Sequence, residues 1–182
     1  MSGKLRLFVA LDLPDAARAA LARFRDAAAD TVVWRPLPES SFHVTLAFLG
    51  YRPEEEVERV AGVLGALPAW SPPKSALAEG LLLPPRRARV LTVALADPAG
   101  ALGALQAAVS AGLAGAGLYE PEARPFRPHV TVARLRPRTR PPRTAEVHLD
   151  PLEFSAEAVT LYVSRLHPSG ARYEPLARAA LR

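Results

Sequence analysis

The chain has 182 residues, enough for one domain with a real core or for two small halves packed closely together. Apolar residues make up 49% of it and cysteine is absent, which removes disulfides and thiolate chemistry and makes a cytoplasmic location the expectation. The net charge is +5, carried by 21 arginines against only Lys4 and Lys74; this suits an anionic partner, but a GC-rich genome would give the same Ala, Arg and Pro abundance, so arginine position says more than arginine number.

The opening "MSGKLRLFVALDLP" alternates Leu5, Leu7, Val9 and Leu11 with Arg6, Phe8 and Ala10, which reads as a first strand and not a signal peptide. Pro14 then opens a helix over 14–29, with Ala17, Leu21, Phe24 and Ala28 on its inner stripe. "TVVW" (31–34) reads as a short strand, and "FHVTLAFL" (42–49) as a longer one. Residues 53–67 form a second helix whose first turns carry glutamates at the positive dipole end.

Residues 68–88 are broken by prolines, with a strand near 76–83. "RVLTVAL" (89–95) is a strand. A helix follows with Leu102, Leu105, Val109 and Leu113 on its buried stripe, ended by Gly115 or Gly117. "PHVTVARL" (128–135) is the next strand and 136–143 a Pro/Arg connector. Two last strands are expected near 145–149 and 157–166, followed by an exposed end. No run of about 18 apolar residues offers a membrane span.

The two His/Thr strands repeat each other. His43, Val44, Thr45, Ala47 and Leu49 recur 86 residues later as His129, Val130, Thr131, Ala133 and Leu135. "VAL" at 9–11 recurs at 93–95, an offset of 84, so strand–helix–strand occurs twice, over about 4–67 and about 88–135. This predicts one domain of two similar lobes related by an approximate two-fold axis.

On a strand, His43 and Thr45 share one face, with Phe42, Val44, Leu46 and Phe48 on the other; His129 and Thr131 behave likewise. If the lobes face each other, two imidazoles and two hydroxyls converge. Histidine's ordinary pKa near 6.5 gives both protonation states at neutral pH, so one ring can take a proton from water and the other give one to a leaving oxygen. Threonine hydroxyls are donors for phosphate oxygens as charge develops. A metal is not expected, because Thr stands where a further ligand would be and no Asp or Glu flanks either motif. A lone His-x-Thr strand would be read as structural; the matched pair is much harder to obtain by accident.

With "HVTL" (43–46) and "HVTV" (129–132), "RLFVALDLP" (6–14), "RPFRPHVTVAR" (124–134) and "LYVSRLHPSGARYEPL" (161–176), the chain resembles the two-histidine phosphoesterase superfamily, and within it the RNA 2′,3′-cyclic phosphodiesterases once described as 2′-5′ RNA ligases. The resemblance implies a bilobal α+β fold, with antiparallel sheets lining a central cleft and helices outside. It implies no metal or other cofactor and hydrolysis of a terminal 2′,3′-cyclic phosphate to a 2′-phosphate. It suggests His43 as proton donor, His129 as proton acceptor, and Thr45 and Thr131 as phosphate ligands. Ala47 follows the first motif where relatives often carry a basic or polar residue, which leaves Arg134 to supply charge. From spacing alone Arg134 reads equally as a solvent-facing residue.

Phe8, Phe126 and Arg127 are candidate RNA contacts, and Trp34 a further aromatic near the groove; each aromatic reads as core more readily than as a stacking platform. The arginines of 136–143 read equally as an RNA track and as a solvated connector. His148 and His167 have no repeat partner and are expected to be exposed. The expected partner is RNA with a cyclic-phosphate end or a related nucleotide, and the expected state a monomer. Two rivals stand: a cyclic phosphodiesterase of a small nucleotide such as an ADP-ribose cyclic phosphate, and a non-catalytic RNA-binding module.

Overall fold

A computed structural model describes residues 3–142, 147–167 and 170–182. Its elements run β1 (Lys4–Asp12), α1 (Asp15–Ala28), β2 (Trp34–Pro36), a 3-10 turn at Glu39–Ser41, β3 (His43–Pro53), α2 (Glu56–Gly65) and β4 (Lys74–Leu83). They continue with β5 (Val90–Ala96), α3 (Ala101–Gly115), β6 (His129–Leu135), β7 (Glu153–Ser155), β8 (Ala158–Arg165) and β9 (Arg172–Ala180).

The strands order as β7-β4-β5-β6-β3-β1-β8-β9, all antiparallel, with β2 beside β6. The sheet is two halves meeting at one point. β7, β4, β5 and β6 make one half and β3, β1, β8 and β9 the other, joined through the single pair Val44–Val130. α1 packs behind β6, while α2 and α3 pack behind β3, β8 and β9. The helices therefore cover one face, and the other face is the groove. This is the expected α+β, two-lobed arrangement with helices outside.

The core lies between helices and sheet. Leu7, Val9 and Leu11 of β1, Leu21 of α1, Leu102, Leu105 and Leu113 of α3, and Val130 and Val132 of β6 are all wholly buried. α3 has no acidic residue in its first turn. Asp97 caps it from outside, accepting from the backbone N–H groups of Leu102 (3.1 Å) and Gly103 (2.9 Å).

Three expectations need correction. The exposed end is in fact β9, an edge strand that pairs with β8 from Ala158–Ala180 to Arg165–Arg172. The strand expected near 145–149 is not there over 147–149; 145 and 146 lie outside the described residues. The short strand at 31–34 sits instead at Trp34–Pro36, after a turn. Among the described residues no helix is long and apolar enough to cross a membrane.

The pairing register also revises the repeat. Leu11 faces Val44 on one side and Val93 faces Val130 on the other, so those strands correspond at an offset of 82, not 84. The even difference keeps the same faces buried. Both His/Thr strands carry a bulge at the same place: Leu46 is skipped in the β1–β3 pairing, and Val132 in the β5–β6 pairing. A bulge leaves backbone groups outside the ladder, and both are partnered here. Gln106 Nε2 donates to the Leu46 carbonyl (3.2 Å), and the Leu37 N–H to that of Val132 (2.9 Å).

Candidate active site

The Val44–Val130 pair decides where the motifs go. Both valines are buried on the core face, so His43, Thr45, His129 and Thr131 turn to the groove. Carrying the antiparallel pairing one residue either way sets His43 beside Thr131 and Thr45 beside His129. The two imidazoles are close enough for the charge of His129 to act on His43, and Arg134 and Asp12 act on it as well.

Each imidazole is held from its own strand entry. His129 Nδ1 lies 2.7 Å from the Arg127 carbonyl, which can only accept; Nδ1 therefore carries the proton, and Nε2 is left as the free acceptor of the neutral ring. The backbone carbonyl of Ser41, again two residues earlier, favours the charged form of His43.

His43 is half-buried in a wall of rings. Phe8 lies 4.8 Å from it centroid to centroid, Tyr173 5.2 Å edge-on, and Tyr162 6.2 Å. This desolvation pushes the imidazole down to about 4, opposed by the Ser41 carbonyl and the Asp12 carboxylate and assisted by Arg134 and His129. Asp12 is itself held by Thr160 Oγ1 (2.8 Å), the Tyr162 hydroxyl (2.8 Å) and Arg178 Nε (3.1 Å). Burial and the Asp12 carboxylate push the Tyr162 phenol up, so it stays protonated and donates.

The depressed His43 has a stability consequence. Its folded value lies below its ordinary one, so between about pH 6.5 and pH 4 the unfolded chain binds the extra proton, and stability falls as pH falls through that window. Between pH 7 and pH 5 the wild type should lose about 2 kcal/mol more unfolding free energy than His43→Gln. Denaturant melts at the two pH values measure this; equal losses in both proteins would contradict the environment described for His43.

Arg134 is exposed at the groove end of β6. The bulge at Val132 turns it to the same side as His129 and Thr131. Arg35 of β2 stands opposite Arg134 in register. Among the described residues neither guanidinium has a carboxylate partner. Like charges set across from each other oppose folding unless an anion joins them. Ala47, by contrast, is 2% exposed and does not reach the groove at all, so it neither adds to nor subtracts from the groove's charge.

The remaining expectations divide. Phe8 is 4% exposed and has no open face for a base; it backs His43 instead. Phe126 is half-buried against the core, Trp34 is wholly core, and Arg127 is exposed with its carbonyl engaged by His129. His148 is exposed beside Asp150, and His167 is exposed. Sequence reasoning missed Asp12, Arg35 and the ring contacts of Tyr162 and Tyr173. Asp12 had a visible signal, a carboxylate ending an otherwise apolar alternation.

Residues 8–168 match the family described as the 2′-5′ RNA ligase superfamily. An RNA 2′,3′-cyclic phosphodiesterase of Thermus thermophilus is 33% identical over 98% of this chain and 91% of its own length. One of Escherichia coli is 30% identical over 100% of this chain and 99% of its own. The crystal structure of TT0787 of Thermus thermophilus superposes with a TM-score of 0.79 at 28% identity, covering 97% of this chain and 98% of that one.

Proposed function

The chain belongs to the 2′-5′ RNA ligase superfamily, and from that premise we propose that it is an RNA 2′,3′-cyclic phosphodiesterase that opens terminal cyclic phosphates to 2′-phosphates. The observation that carries the reading is the pair of imidazoles on one groove face, joined through Val44–Val130 and each flanked by the other motif's threonine.

In this reading Nε2 of neutral His129 takes a proton from water as the water oxygen bonds to phosphorus. The bond from phosphorus to the 3′ oxygen breaks, and His43 gives that oxygen its proton. The 2′ oxygen keeps the phosphate. Thr45 and Thr131 donate to the non-bridging oxygens, and Arg134 with Arg35 opposes the charge that grows on them. The division of roles between the imidazoles follows the family resemblance. His43 is neutral in the free protein at pH 7; the bound phosphodiester anion favours its imidazolium, so substrate itself charges the acid.

With a 5′-hydroxyl in place of water, the same displacement of the 3′ oxygen forms a 2′-5′ bond; we include this as a weak ligation, the reverse of cleaving a 2′-5′ linkage. The whole chain is read as one two-lobed catalytic domain on an internal repeat. No metal is required in this reading. Among the described residues no three His, Cys, Asp or Glu side chains gather as a metal site. Incubation in EDTA with an oligoribonucleotide ending in a 2′,3′-cyclic phosphate should give a 2′-phosphate end only. Turnover that depends on an added divalent ion, or a 3′-phosphate product, would overturn the reading.

A further inference from the structure

β3 does not alternate as a regular strand would. Its pairing with unbulged β1 skips Leu46 and again Leu49, both buried at 3% and 8% exposure. Each extra residue turns the following side chain over. The residues opposite Asp12, Ala10, Phe8 and Arg6 are therefore His43, Thr45, Phe48 and Tyr51. Asp12, Ala10, Phe8 and Arg6 lie two apart on β1 and share its groove face, so their four partners do as well.

Phe48 and Tyr51 thus stand on the groove floor, in line with the motif, and remain 44% and 61% exposed. The Arg6 guanidinium lies over the Phe48 ring at 4.8 Å and is steadied by donation to Ser164 Oγ at 3.1 Å. On the other lobe the position corresponding to Phe48 is Arg134, so the groove is aromatic on one side of the histidines and cationic on the other. Successive partners along β1 are about 6.8 Å apart, close to the length of one nucleotide in an extended single strand.

We propose that Phe48, with Arg6 across its ring, stacks the base of the nucleotide that carries the cyclic phosphate, and that Tyr51 stacks the base before it. The inference rests on the phosphodiesterase reading and adds to it a direction: the RNA enters along β3 with its bases on the aromatic side. Base stacking on an aromatic ring is sequence-tolerant, so the groove accepts any terminal base.

Three substrates test this: a nucleoside 2′,3′-cyclic phosphate, a dinucleotide with the same end, and that dinucleotide lacking its 5′ base. Phe48→Ala should raise KM about 5- to 150-fold on all three, and Phe48→Trp should restore or lower it. Tyr51→Ala should leave the mononucleotide and the base-lacking dinucleotide within about twofold, and raise KM only where the 5′ base is present. Phe48→Ala without effect, or Tyr51→Ala acting equally on all three, would overturn the stacking lane while leaving the phosphodiesterase reading intact. No turnover of any of them by the wild type would overturn both.

Discussion

Replacing either His43 or His129 by alanine is expected to lower kcat by about 100- to 10,000-fold with little change in KM. The roles rest on the family resemblance; the surroundings of each ring fix what it presents to the groove. His129 Nδ1–H is committed to the Arg127 carbonyl, so Nε2 is the nitrogen left to face the groove. His43 is packed by Phe8, Tyr162 and Tyr173 around it, which leave it open towards the groove. Neither can replace the other from that position. Because both protons move in one displacement, the double variant should be little worse than either single one. Steady-state kinetics on a cyclic-phosphate substrate measure this. Near wild-type kcat in either variant would remove that ring from the chemistry.

Thr45→Val and Thr131→Val should each lower kcat by about 100- to 1,000-fold, the size expected for deleting a donor aimed at developing oxyanion charge. Valine keeps the shape of threonine and its β-branch suits a strand, so the melting temperature should barely move. The pairing that sets Thr131 by His43 and Thr45 by His129 gives each hydroxyl a place beside the opposite imidazole. If both variants kept full kcat, the phosphate would be gripped by Arg134 and Arg35 alone.

The architecture around these four residues was readable because it is local. Alternation marks β1, and the repeated His-x-Thr strands mark β3 and β6 with their groove faces. What the pattern hid was hidden by bulges and by distance. Strict alternation puts Phe48 in the core, and only the two skipped leucines turn it out. The offset of 84 came from matching letters in "VAL", whereas the register aligns Leu11 with Val93. β9 has no apolar periodicity because it is an edge strand, largely exposed, with Pro175 tolerated there. Tyr162 and Tyr173 stand more than a hundred residues from His43, and only the pairing of β1 with β8, and of β8 with β9, brings them to it.

The central claim is that both imidazoles serve one phosphoryl group. Imidazole NMR with a nucleoside 2′-phosphate titrated into the protein tests it most directly. The His43 and His129 signals should move together with one dissociation constant, and the His43 midpoint should rise from about 4 in the free protein. Movement of one ring alone, or two rings saturating at different concentrations, would contradict it.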